Sequence, residues 1–269
     1  MTAAGLSPWH YPRVIAHRCG GALAPENTLA GLHVARLCSV SAVEFDVMLS
    51  ADGVPFVIHD ETLGRTTDGQ GAVALTCAAQ LHQLDAGVQH HAAFRGERLP
   101  LLTEMLAACH ALGLAANVEI KPAAGHDAAT GRVVGEVIAV FQSACLAAGK
   151  RPLSLLLSSF SEEALATALP SMERKRTDAG GVMARALLVE NVPADWQTRL
   201  RRLDCQHLHC AATATEVTSR LAAELRASGG ALACYTVNDA AQAAQLFAIG
   251  VSAIFTDRPD CFCPPAPMT

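Results

Sequence analysis

Glu44 and Asp46 stand two residues apart in the run Val43-Glu44-Phe45-Asp46-Val47. Alternation along a strand sends both side chains to one face. Two neighbouring carboxylates on a face that should be apolar repel each other and resist desolvation. A cation between them removes both difficulties. Asp52-Gly53 then marks a tight turn. Pro55 to Ile58 reads as a returning strand that delivers His59 back toward the carboxylates. A metal-binding pair beside a proton-transfer group suggests a hydrolytic site.

These groups need a scaffold. Eight short apolar runs read as buried parallel strands: Arg13–His17, Val43–Val47, Ala116–Ile120, Ser154–Ser158, Ala186–Val189, His207–Cys210, Leu232–Thr236 and Ala253–Thr256. Helical patterns fall between most of them, at Thr28–Cys38, Leu102–Leu112, Val133–Ala148, Glu162–Leu169, Ala194–Leu203, Thr215–Ala227 and Ala240–Ile249. The alternation predicts an α/β fold, a (β/α)8 TIM barrel. The Pro55–Ile58 strand joins by a hairpin, and a parallel neighbour would need a long crossover. It is therefore placed beside the barrel mouth. Residues 61–100 lack a clean helix–strand pattern and read as a small insertion subdomain after the second barrel strand. The whole reads as one domain, ending in a Pro-rich tail at 262–269.

Catalytic groups in such barrels sit at the C-terminal ends of strands. There the strands carry His17-Arg18, Glu44 with Asp46, Glu119 with Lys121, Ser158-Ser159, Tyr235 to Asn238 and Thr256-Asp257. Glu44, Asp46 and Glu119 offer oxygen ligands only, which favours a hard divalent cation, Mg²⁺ or Ca²⁺. Arg18 and Lys121 suit an anionic substrate, the first as a fork and the second as a compact charge. Glu26-Asn27-Thr28 reads equally as a helix cap or as part of the site. His207 and His209 share a strand face, with Cys210 following, but no fourth ligand accompanies them.

Bulk composition narrows the classes. A formal net charge of -5 argues against nonspecific nucleic-acid binding. Mean hydropathy is +0.27, yet much of the excess is alanine and no run approaches the roughly 20 apolar residues of a membrane span. Met1 to Tyr11 lacks a basic region followed by an apolar core, so no secretory signal is expected there. The 10 cysteines are scattered, many in apolar surroundings, and read as reduced core residues. A cytoplasmic location follows. The oligomeric state, a homo-oligomer included, stays open.

Together the segments resemble the glycerophosphodiester phosphodiesterase family. The matching pieces include Ala16-His17-Arg18, Pro25-Glu26-Asn27-Thr28, Glu44-Phe45-Asp46-Val47, His59-Asp60, Leu63-Gly64-Arg65-Thr66-Thr67, Glu119-Ile120-Lys121-Pro122, Ser158-Ser159-Phe160, Tyr235-Thr236-Val237-Asn238 and Thr256-Asp257, in family order. The detail looks most like the bacterial cytosolic branch. The resemblance implies a divalent cation on Glu44, Asp46 and Glu119, His17 and His59 as an acid–base pair, and phosphate on Arg18 and Lys121. It implies hydrolysis of a glycerophosphodiester to sn-glycerol 3-phosphate and an alcohol. His17 is assigned as base and His59 as acid, an order the sequence leaves open. The attacker is the glycerol 2-hydroxyl, water, or His17 itself. Tyr235 and Phe94 are expected as apolar substrate contacts.

The family usually has glycine after His-Arg, where this chain has Cys19. That departure reads first as a tolerated substitution; it also keeps a non-catalytic phosphoester-binding barrel as an alternative, with Cys19 facing the site as a soft metal ligand or an oxidation-sensitive thiol. A barrel lyase or isomerase acting on a phosphorylated sugar is the other, with a single histidine base.

Overall fold

The computed structural model describes residues 12–173 and 183–262. In chain order its strands are β1 (Val14–Ala16), β2 (Ala42–Leu49), β3 (Pro55–Val57), β4 (Ala115–Ile120), β5 (Leu155–Ser159), β6 (Ala184–Val189), β7 (His207–Ala211), β8 (Ala231–Tyr235) and β9 (Ala253–Thr256). All but β3 run parallel, and β1 pairs with both β2 and β9 to close an eight-stranded ring. Its outer layer holds α1 (Leu29–Leu37), α3 (Leu102–Leu112), α4 (Asp127–Ala147), α5 (Glu162–Glu173), α6 (Trp196–Arg202), α7 (Ser219–Ala227) and α8 (Ala240–Ala248); α2 (Ala78–Leu81) is a single turn between β3 and α3. The (β/α)8 expectation is met, with each ring strand within two residues of its predicted bounds. The Pro-rich tail beyond Phe262 and the stretch Met1–Tyr11 lie outside the described residues.

Period-two alternation sorts the side chains. Val43, Phe45 and Val47 of β2 point outward and pack with Leu32, Leu102, Met105 and Ile138 of the surrounding helices. Their neighbours Glu44 and Asp46 are left on the inner side. On β7, Leu208 and Cys210 pack outward with Trp196 and Leu221. The alternation leaves His207 and His209 inside, where the His209 ring lies 5.0 Å from that of Phe255. The lower interior is filled mainly by small residues, Ala42, Ala233 and Ala253, with Ile15 and Phe255.

Helix limits depart from expectation where the first turn is polar. Helix α4 begins at Asp127, six residues ahead of the predicted Val133, because its opening turn lacks apolar periodicity. Gly131 of α4 lets the helix meet α5 closely: a Cβ there would sit 2.2 Å from the Ala164 carbonyl oxygen. By length and composition α4 is apolar enough to cross a membrane. Its face from Thr130 through Val134 and Ile138 to Cys145 is buried, as befits a barrel's outer helix. Helix α7 starts at Ser219, after the predicted Thr215, because Thr218 caps it by accepting from the Leu221 N–H.

The hairpin forms as expected. Gly53 takes φ +80, and β3 returns antiparallel along β2 with Val47 opposite Val57. Residues 61–100 contain short helical turns and two isolated bridges, Thr62 with Ala72 and Asp85 with Arg98. They bury Leu63, Val73, Leu81, Ala86 and Leu99 against Met48, Phe56 and Ile58 of the hairpin.

The interior histidines carry a pH consequence. Burial holds the His207 pKa down at about 4 and places that of His209 well below the usual imidazole range, with the neighbouring His207 adding to it. The unfolded chain takes up these protons below about pH 6.5, before the folded chain does. Stability is therefore full above that value and falls with pH between about 6.5 and 4. Between pH 7 and 5, His207 alone should remove about 2 kcal/mol. Urea unfolding at both pH values should show the wild-type loss exceeding that of His207→Gln by this amount. Equal losses would mean that His207 takes up its proton over the same pH range in the folded and unfolded chain.

Candidate active site

The three inward carboxylates meet at the mouth. Asp46 is the register partner of Glu119 on β4, and Glu44 that of Asn117. Glu44, Asp46 and Glu119 are buried, each offering an oxygen within 4.8 Å of the others. Burial, with the charges of Asp46 and Glu119, raises the Glu44 pKa well above its ordinary value. Burial and Asp46 push Glu119 up to about 8. Burial also opposes ionisation of Asp46, but His59, Lys121, Arg18 and a hydrogen bond from Asn27 outweigh it and hold its pKa low. Glu44 Oε1 and Glu119 Oε1 are buried without a hydrogen-bond partner. A divalent cation would satisfy both atoms and relieve the repulsion, so the donor set fits a hard metal ion.

The loop after β1 supplies the first surrounding groups. The backbone N–H of Arg18 donates to Glu44 Oε2 at 2.9 Å, and Arg18 Nε lies 3.9 Å from Asp46 Oδ2. Asn27 holds Asp46 twice: its Nδ2 donates to Asp46 Oδ2 at 2.9 Å, and its Oδ1 accepts from the Asp46 N–H at 3.2 Å. The tripeptide 26–28 divides its work. Thr28 caps α1, Asn27 orients a carboxylate, and Glu26 pairs with Arg18 at 3.1 Å. Lys121 Nζ lies 3.7 Å from Asp46 Oδ1 and 3.9 Å from Glu119 Oε1.

Both expected histidines reach this cluster. His17 Nε2 is 3.9 Å from Glu44 Oε2, while its Nδ1 donates to Asp257 Oδ1 at 2.6 Å. The hairpin sets His59: the Ile58 N–H donates to the Asp46 carbonyl at 3.0 Å. His59 Nδ1 donates to Asp60 Oδ1 at 2.6 Å, and Lys121 Nζ donates to His59 Nε2 at 2.7 Å. A carboxylate on Nδ1 fixes the tautomer and leaves Nε2 for chemistry. Burial lowers the His59 pKa, and the positive charges of Arg18 and Lys121 add to it, against the pull of Asp46 and Asp60.

Asp60 and Asp257 are partners that local spacing did not reveal, although adjacency in His59-Asp60 and a strand end at Thr256-Asp257 were signals. Asp257 is steadied by Asn238, which donates to its Oδ2 at 3.1 Å and accepts from its N–H at 2.8 Å.

One expectation is corrected. Cys19 does not face the carboxylates: it is fully buried among Leu32, Met105 and Cys109, with Sγ 3.9 Å from Met105 Sδ. Its φ of +71 turns the side chain into the core below the loop. Phe94 packs within the 61–100 segment, edge-on to His90. The aromatic that meets Tyr235 is Phe160, at 6.0 Å between ring centroids and half exposed after β5. The Tyr235 hydroxyl donates to the Val189 carbonyl at 2.7 Å, so Tyr235 presents its ring and not its hydroxyl.

The fold and this site define a (β/α)8 barrel with an acidic cluster at its mouth that could hold a metal ion. A family model for the glycerophosphoryl diester phosphodiesterase family matches residues 17–261. The chain belongs to that family and is an enzyme of its phosphodiesterase class. It is similar to an Oleispira antarctica phosphodiesterase solved in complex with the product sn-glycerol-3-phosphate, at 36% identity, covering 93% of this chain and 95% of that one, with a TM-score of 0.80. It is 30% identical over 256 residues to YhdW of Bacillus subtilis, covering 92% of this chain and 95% of the relative. A Bacillus subtilis glycerophosphodiester phosphodiesterase is 25% identical over 256 residues, 92% of this chain and 84% of its own length.

The loop over the mouth depends on Gly21. At φ +59, a Cβ there would lie 2.3 Å from the carbonyl oxygen of Asp257, the partner of His17. Gly53 is also left-handed, at φ +80, but a Cβ there meets nothing within 4 Å. Alanine at either position incurs about 1–2 kcal/mol for the backbone conformation. Gly21→Ala should therefore be clearly more destabilising than Gly53→Ala in thermal melts. Equal losses would mean that the Asp257 backbone yields freely.

Proposed function

We propose that this enzyme hydrolyses glycerophosphodiesters to sn-glycerol 3-phosphate and an alcohol, in a single barrel domain with 61–100 as an insertion. The observation that carries the reading is the pair of carboxylate-oriented histidines flanking a three-carboxylate cluster with Arg18 and Lys121 beside it. One divalent cation, magnesium or calcium, would be held by Glu44, Asp46 and Glu119. When bound it would offset charge on the phosphoryl oxygens.

Arg18 and Lys121 bind the remaining phosphoryl oxygens, where negative charge grows in the transition state. Lys121 donates to His59 in the absence of substrate, and a phosphodiester would compete for its ammonium. The histidines exchange protons through Nε2, one taking it from the attacking hydroxyl, of water or of glycerol C2, the other giving it to the leaving alcohol. Each transfer is typically worth ~10²–10⁴-fold. His59 accepts from Lys121 and has a lowered pKa, so it rests neutral. That supports His59 as base and His17 as acid, the reverse of the order assigned from sequence. The rings of Tyr235 and Phe160 offer an apolar wall for the carbon skeleton of the substrate.

The binding-only alternative rested on Cys19, which points into the core. The lyase or isomerase alternative called for one histidine base, and two oriented histidines favour phosphoryl transfer. Cys19, Cys109, Cys145, Cys205, Cys210 and Cys234 are buried thiols, and buried reduced cysteines support the cytoplasmic placement.

A coupled assay for glycerol 3-phosphate released from glycerophosphocholine tests the reading. Wild-type turnover should vanish with EDTA and return with Mg²⁺ or Ca²⁺. His17→Ala and His59→Ala should each lose at least about a hundredfold at pH 7 with the fold intact. On bis(p-nitrophenyl) phosphate, whose leaving group needs no proton, His17→Ala should recover more than His59→Ala. Normal turnover of glycerophosphocholine in either variant would overturn the acid–base scheme.

A further inference from the structure

Arg65 comes from the 61–100 segment and is absent from the carboxylate cluster, yet its guanidinium joins two sides of it. Nη1 donates to Glu26 Oε2 at 2.7 Å and Nη2 to Glu26 Oε1 at 2.7 Å, a fork on one carboxylate. Along another edge, Nε donates to Asp60 Oδ2 at 2.5 Å and Nη2 to Asp60 Oδ1 at 2.9 Å. Four of its five N–H groups are thereby committed. Glu26 also accepts from Arg18, and Asp60 also accepts from His59. A continuous chain results: His59, Asp60, Arg65, Glu26, Arg18. Its two ends reach Lys121 and Asp46.

We infer that Arg65 is a positioning residue that fixes His59 relative to Arg18, and hence the proton-transfer group relative to the bound phosphate. The inference rests on the function proposed above. His59 follows the hairpin, whereas Arg18 and Glu26 belong to the loop between β1 and α1. These segments are separate in sequence, and the planar fork sets the carboxylates that connect them in one arrangement. Hydrogen bonds from Arg65 are the first cause holding Asp60 well below the usual carboxylate range. They likewise hold Glu26 below its ordinary value, although burial opposes this. Without Arg65, Glu26 keeps Arg18 and Asp60 keeps His59, but nothing ties the two carboxylates together and each is free to turn.

Magnitudes separate positioning from stability. The Arg65 side chain is 48% exposed, and exposed ion pairs contribute little to folding. A misplacement of about 1 Å at reacting groups costs on the order of 10²-fold in rate. Arg65→Ala should therefore melt near wild type while kcat/KM for glycerophosphocholine falls by about 10²-fold. A lysine supplies the charge without the fork, so Arg65→Lys should regain less than a tenth of the loss. Ethylguanidinium should restore Arg65→Ala saturably, and ethylammonium should not. Because Arg65 acts through Asp60 and Glu26, Arg65→Ala combined with Asp60→Asn should fall short of the product of the two kcat effects. Combined with Glu26→Gln, it should fall short of the product of the KM effects.

Arg65→Ala within threefold of wild type, or full multiplicativity in both combinations, overturns the inference. If Arg65→Ala is recovered unfolded, the same combinations on Arg65→Lys decide it. Wild-type inactivity on glycerophosphocholine would overturn the proposed function instead. The affinity for sn-glycerol 3-phosphate by calorimetry then decides Arg65 alone: a tenfold weakening in Arg65→Lys supports positioning of Arg18, and unchanged affinity overturns it.

Discussion

The mutual repulsion of Glu44, Asp46 and Glu119 is the constraint to which the mouth of this barrel answers. Three buried carboxyl groups with oxygens inside 4.8 Å of one another cannot all ionise without positive charge among them. Asp46, central in the cluster, has the most help: Asn27 at two atoms, with Arg18 and Lys121 close by. Glu44 has the Arg18 backbone N–H. Delivering these donors requires an unusual loop. Arg18, Cys19 and Asn27 all take positive φ without being glycine, at +48, +71 and +59. Such backbone costs of order 1–3 kcal/mol per residue. The same turn that aims Arg18 N–H and Asn27 at the carboxylates drives Cys19 into the packing of Leu32 and Met105.

The histidines solve a second problem, that of direction. An imidazole has two nitrogens, and proton transfer at one requires the other to be committed. Asp257 commits His17, and Asp60 commits His59, each at 2.6 Å. The two carboxylates differ in their own partners. Asp257 is held by the neutral amide of Asn238, whereas Asp60 is held by the charged guanidinium of Arg65. The two imidazoles thus meet different fields although each has a carboxylate oxygen at the same distance from Nδ1.

Much of this was readable in the chain. Glu44 and Asp46 declare themselves because period two is a local property, and a carboxylate pair inside Val43-Phe45-Val47 has no reason to be there without a cation. The ring of strands was legible for the same reason, since apolar runs and helical spacing are local. Asp257 lies 240 residues from His17, and no spacing rule links them; only closure of β9 onto β1 does. The direction of Cys19 depended on a backbone angle that its residue type disfavours. Phe160 was hidden for a different reason. It is an exposed aromatic after a strand, and only the β5–β8 geometry pairs it with Tyr235.

The hairpin makes the architecture unequal. The ring is a closed circuit of hydrogen bonds, so no member of it can shift alone. Strand β3 stands outside that circuit, held along β2 and by the contact of the Val57 N–H with the Pro100 carbonyl. His17 and the three carboxylates therefore belong to the rigid frame, while His59 rides on an appendage whose far side is residues 61–100. Changes in that appendage reach the frame through side-chain contacts such as Arg65 on Glu26 and His59 with Lys121. One half of the site is thus held by the closure of the barrel, and the other by a single hairpin and the side chains packed and paired against it.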